Sequence, residues 1–160
     1  MDSRKLVELL EQDGRLSVKD LATMLGSGER DVEKAIADLK KKGIIRRFKA
    51  VVDWKKVDGK HASALIQVKV VPQEKHGFAK ICREIAKEKI VNDIYVVTGE
   101  YDLLITATAE SIDEISEFVT ENLAPRKEVM GTNTQIILKE FKRSGAVMFD
   151  EDSKRLPLTP

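Results

Sequence analysis

The spacing of apolar residues changes period along this 160-residue chain, and that change does most to restrict its fold. Leu6, Leu9 and Leu10 recur at helical intervals and stop at Asp13-Gly14. Val18, Leu21, Ala22 and Leu25 do so up to Gly26, and Val32, Ala35, Ile36 and Leu39 up to Gly43. From Ala62 to Val71 the period is two, with Ala64, Ile66, Val68 and Val70 sharing one face. A chain that is helical first and alternating later predicts an α+β protein with two separately organised regions.

In the first region, local chemistry places the helix ends. Ser17 is read as an N-cap with Asp20 three residues on, a carboxylate form of the capping box, and Ser27 as the N-cap of the third helix. The link Gly26-Ser27-Gly28 is short enough to force a sharp angle between two helices, as in a helix-turn-helix. After Gly43 the residues from Ile44 to Val52 read as a strand. Three helices followed by a β-segment predict a winged helix-turn-helix, the alternative being a plain three-helix bundle.

Charge favours the first of these. The net charge is only +1, but residues 1–60 hold 15 Lys/Arg against 11 Asp/Glu, and residues 61–160 hold 13 against 16. Six of the ten residues from Lys40 to Lys49 are basic and none is acidic. Such a patch suits phosphates, although a solvated face has the same composition. The expected DNA contacts are Arg30, Glu33 and Lys34 on the third helix, Lys40 and Lys41 at its end, and Arg46, Arg47 and Lys49 in the wing. Because Glu29, Asp31, Glu33 and Asp38 share that helix, one module alone is expected to bind double-stranded DNA weakly. Several modules on one DNA would then supply the affinity.

Residues 53–61 are polar, lack a period and read as a linker between a DNA-binding domain at 1–52 and a second domain at 62–145, with 146–160 as a tail. Trp54 is the exception and is expected to anchor a packing or dimer contact. The second domain reads as strand 62–71, a helical stripe Phe78, Ile81, Cys82 and Ile85, strands 91–98 and 103–109, a helix capped by Ser111 with the stripe Ile112, Ile115, Phe118 and Val119, and strand 128–141. The order βαββαβ predicts a ferredoxin-like sheet with both helices on one face. The other face is left open, and sheet-to-sheet dimerisation follows as an expectation. Ala146 to Phe149 in the tail is expected to pack on a neighbouring subunit.

Little else suggests chemistry. Cys82 falls in a core stripe, and a lone cysteine forms no internal disulfide. His61 and His76 have no partner spacing for a metal or a catalytic relay. There is no Gly-rich phosphate loop and no nucleophile elbow, so no catalytic residue, metal site or cofactor is expected, and the chain is read as a non-enzyme. With no signal peptide and no membrane span in the sequence, a cytoplasmic protein is expected.

The order of these parts, together with Asp13-Gly14-Arg15-Leu16-Ser17, Leu21-Ala22, Leu39, Gly43-Ile44-Ile45 and the stretch Val97-Thr98-Gly99-Glu100-Tyr101-Asp102-Leu103-Leu104, resembles the Lrp/AsnC transcriptional regulators. The resemblance covers nearly the whole chain. It implies a winged helix-turn-helix followed by a βαββαβ (RAM) domain that binds an amino-acid effector and assembles the chain as a homodimer and a tetramer of dimers. The effector site it implies lies at the tip of the central hairpin, here Thr98, Gly99, Glu100, Tyr101 and Asp102, with Thr132 and Thr134 as walls. Glu100 stands where that family more often has aspartate. Two rivals remain open: a siroheme-decarboxylase-like enzyme, suggested by Gly43 to Arg47, and an effector or oligomerisation module with weakened DNA binding.

Overall fold

The computed structural model describes residues 2–71 and 77–150. The chain divides into two compact units, Met1–Val51 and Val52–Pro160, each with its own core. His76 and the tail beyond Asp150 lie outside the described residues.

The first unit has three helices, α1 (Ser3–Gln12), α2 (Val18–Leu25) and α3 (Glu29–Lys41). Asp2 caps α1 by accepting from the N–H groups of Arg4 and Lys5, and Ser17 caps α2 by accepting from the Asp20 N–H. α2 and α3 end alike. The Ser27 N–H donates to Ala22 O and the Ile44 N–H to Leu39 O, closing Schellman turns around Gly26 (φ 58°) and Gly43 (φ 68°). Leu6, Leu10, Leu21, Ala22, Val32 and Leu39 form the core between them. Burial of each large aliphatic side chain contributes about 1.5–3 kcal/mol.

Two local expectations are corrected. The N-cap of α3 is Gly28, not Ser27, whose Oγ instead donates to Leu25 O at 3.3 Å. Ile44 to Val52 does not form a strand, because no second segment of this unit pairs with it among the described residues, and an unpaired strand has no ladder to hold it. The segment is held by a side chain instead: the Phe48 ring lies so close to Gly14 that a Cβ there would sit 2.8 Å from it, and Lys40 Nζ lies 5.2 Å from the ring centroid.

The second unit opens with a short 3-10 turn, Trp54–Lys56, inside the stretch read as linker. It continues as β1 (Ala62–Val70), α4 (Ala79–Ile85), β2 (Val91–Val96), β3 (Leu103–Ala109), α5 (Ile112–Glu117), a π-turned extension over Phe118–Leu123, and β4 (Val129–Ile136). The antiparallel sheet order is β2-β3-β1-β4, the split βαββαβ arrangement. Ala64, Ile66 and Val68 of β1 and Leu103, Ile105 and Ala107 of β3 pack with Ile81, Ile85, Ile115, Phe118 and Leu123 of the helix layer.

Element ends differ from expectation where partners run out. β4 stops at Ile136, not Phe141, because β1 begins at Ala62 and offers nothing beyond the bond from the Ile137 N–H to Ser63 O. Ile112, expected in the apolar stripe, is 55% exposed at the first position of α5. Cys82 is half-buried, and burial pushes its thiol pKa up. The chain then makes a small hairpin, β5 (Lys142–Arg143) with β6 (Ala146–Val147), where Phe141 meets Phe149 edge to face and Lys56 pairs with Asp150 at 2.6 Å. This hairpin runs through position 145, where the sequence placed a boundary.

Candidate functional site

In the helical unit, α3 turns Val32 and Leu39 inward and leaves Arg30, Glu33 and Lys34 exposed on its outer side. The Gly26-Ser27-Gly28 link sets its angle to α2, since only the left-handed Gly26 lets the chain leave α2 so abruptly. Lys40 and Lys41 occupy its last turn, where cations suit the negative end of the helix dipole. Arg46, Arg47 and Lys49 follow on the segment that Phe48 holds, all exposed. None of Arg30, Lys34, Lys41, Arg46, Arg47 and Lys49 joins an ion pair among the described residues, so their charge is available to phosphates. Phe48 and Gly14 are the positioning pair that composition and charge did not single out.

In the sheet unit, the central hairpin closes through six residues, Val97 to Asp102. Gly99 sits at φ 125°, a conformation that disfavours any side chain. Asp102 is tied into the sheet at several points. Its N–H donates to Val68 O (3.1 Å), its carbonyl accepts from the Val97 N–H (2.9 Å), and its Oδ2 accepts from the Val70 N–H (3.0 Å). Lys69 Nζ lies 3.3 Å from the same oxygen. β3 has ended at this level, so the carboxylate takes the Val70 N–H that a further strand residue would have accepted. The Val70 N–H, with the Lys69 ammonium, holds the Asp102 carboxyl below its ordinary pKa despite partial burial. Thr98 and Glu100 are exposed and Tyr101 half-buried, and none of their side chains has a partner among the described residues.

Thr132 and Thr134 stand elsewhere. Register aligns Thr132 with Val68 and Leu103, and Thr134 with Ile66 and Ile105, so both lie on the helix-covered side of β4. They are two strand spacings from β3, roughly 10 Å, and a single chain does not bring them against Glu100. Their shared parity with Ile136 is the signal that could have placed them.

Other expected features resolve more simply. Trp54, 46% exposed, lines a concavity of about 260 Å³ with His61, Leu138, Glu140, Arg143 and Met148. The His61 ring lies in hydrogen-bond contact with Ser63 Oγ at 3.0 Å, and Arg143 donates to Val52 O and to Glu140. Among the described residues no cluster of His, Cys, Asp or Glu is placed to hold a metal ion, and no helix is long and apolar enough to cross a membrane.

Comparison with known proteins agrees with this layout. Residues 3–46 match the model described as winged helix-turn-helix DNA-binding, and residues 63–147 match that of the Lrp/AsnC ligand binding domain. The HTH-type transcriptional regulator YugG of Bacillus subtilis is 32% identical over 98% of this chain and 95% of its own length. The regulator FL11 of Pyrococcus furiosus is 26% identical over 88% and 90%. Among solved structures, the leucine response regulatory protein of Mycobacterium tuberculosis superimposes with a TM-score of 0.74 at 22% identity, covering 90% of this chain and 97% of that one. A transcriptional regulator of Neisseria meningitidis, solved in complex with L-Met, gives 0.71 at 23% over 89% and 93%. With a helix-turn-helix that leaves its cations unpaired and a βαββαβ unit matched over its whole sheet, the chain belongs to the Lrp/AsnC family of DNA-binding transcriptional regulators.

Proposed function

We propose that this regulator senses a free amino acid at the central hairpin tip and converts the binding into a change of assembly or of DNA affinity. The observation that carries the reading is the division of labour at the tip. Asp102 is consumed by the fold, whereas Glu100 and Tyr101 stand beside it with no partner among the described residues. A zwitterion needs an anion for its ammonium and N–H donors for its carboxylate; Glu100 supplies the first and the backbone around Gly99 the second. The L-Met in the Neisseria regulator supports the ligand class.

Because Thr132 and Thr134 lie on the far edge strand, they complete such a site only from a second subunit, which fits an effector held between dimers. The open sheet face, with Leu65, Leu104 and Tyr95 among polar residues, is the proposed dimer surface, and tetramers of dimers form through the tips. The domain limits 1–52, 62–145 and 146–160, the absence of catalytic activity and a cytoplasmic place of work belong to the same proposal. The coupling is thermodynamic: an effector shifts assembly only by the difference in its affinity for the two states, ordinarily about 1–3 kcal/mol.

Fluorescence anisotropy on the promoter of its own gene tests the DNA half. Affinity should fall steeply as salt rises, and replacing Arg46 and Arg47 by alanine should shallow the slope by roughly 0.9 for each phosphate that is no longer neutralised. Equal affinity for promoter and random DNA at low salt would count against a sequence-specific regulator.

A further inference from the structure

The helix layer of the sheet unit divides its charge between its two helices. On α4 and the turn that follows it, Lys80, Arg83 and Lys87 are exposed and spaced to share one side over about 10 Å. They line a shallow groove of about 380 Å³. Glu84 also lines the groove, but it and Glu88 share the Arg126 cation at 3.3 Å each, which leaves one net negative charge against the three cations. On α5 and its π-turned extension the sign is reversed. Asp113, Glu117 and Glu121 recur every four residues over about 12 Å, all exposed, and no Lys or Arg occurs from Leu103 to Pro125. No ion pair engages any of these six side chains among the described residues.

We propose that the Lys80/Arg83/Lys87 face is a docking surface for a second copy of this chain, which meets it with its own Asp113/Glu117/Glu121 stripe. The two stripes match in length and oppose in sign, and both belong to one layer. A two-fold operation therefore lets each copy give its cations and receive its partner's at once. The face lies across the sheet from the open side, so the contact is additional to sheet-face dimers and to contacts at the hairpin tips, and it joins finished particles. It does not rest on the effector reading. DNA fits the face less well, because a duplex laid on α4 would meet the carboxylates of the neighbouring helix, about 8–10 Å away at ordinary helix spacing. Exposed ion pairs are individually weak and screened by salt, so the association is reversible and governed by ionic strength.

Sedimentation velocity on the full chain, from about 50 mM to about 500 mM salt, tests it. The largest species should dissociate as salt rises. The variant R83E/K87E should lose that species at low salt, R83Q/K87Q should weaken it, and the charge swap R83E/K87E/E117K/E121K, whose net charge equals the wild type's, should regain it. A particle mass that ignores salt, or is unchanged in R83E/K87E, overturns the proposal. So does a folded charge swap that stays dissociated. If R83E/K87E keeps its mass and loses DNA affinity instead, the face serves DNA and the proposal is wrong.

Discussion

The two faces of the sheet are built from the same strands and do opposite work. On the helix-covered face Ala64, Ile66, Val68, Leu103, Ile105 and Ala107 are each at most 1% exposed. On the other, Tyr95 is 51% exposed, and Leu104 and Leu65 sit among Gln67, Asp93, Thr106 and Asn133. Cross-strand hydrogen bonds from Thr106 to Asp93 (2.6 Å) and from Asn133 to Gln67 (3.1 Å) satisfy that face without a core. The lesson is that burial within one chain accounts for the fold, while the open face carries groups suited to a partner and to water alike. The hairpin tip closes one end of this sheet and divides in the same manner, with Asp102 serving the fold and Glu100 left over.

Substitutions should separate these roles. Ile66→Ala, on the covered face, leaves a cavity under the helices and should cost about 2–5 kcal/mol in urea denaturation. Its assembly should survive wherever the chain is folded. Tyr95→Glu with Leu104→Glu reverses the pattern: circular dichroism should be retained, while light scattering should show the particle mass at least halved, since buried like charges at the proposed dimer face would cost several kcal/mol.

Asp102→Asn should have a smaller effect, present near neutral pH and vanishing in acid. The carboxyl pKa is depressed by the Val70 N–H and the Lys69 ammonium, so its contribution is present above the ordinary carboxylate range, about pH 4, and is lost as pH falls through the folded value. Melting temperature followed from about pH 6 down to about pH 2 should therefore fall less steeply in Asp102→Asn than in the wild type. Glu100→Gln should change stability least, within about 0.5 kcal/mol, because nothing in the fold uses its side chain.

How far the sequence could be read follows from the range of each interaction. Helix limits were legible because Ser17, Gly26 and Gly43 act on their own neighbours, although the cap of α3 was misplaced by one residue. The βαββαβ order was legible because alternation and helical spacing alternate without ambiguity. Ile44 to Val52 was misread, since its β-branched residues cannot reveal whether a partner strand exists. At the tip, the tether of Asp102 was not legible, because it depends on Val70, 32 residues away on another strand. The side of the sheet taken by Thr132 and Thr134 likewise depends on pairing with β1.

Thermal shift of the full chain against the twenty amino acids, in the wild type and in Glu100→Ala, addresses the central claim most directly. A ligand that binds only the native state must raise its melting temperature. At least one amino acid should stabilise the wild type, and Glu100→Ala should lose that response while melting at the same temperature without ligand. A response that survives in Glu100→Ala, or no response to any of the twenty, would contradict amino-acid sensing at the hairpin tip.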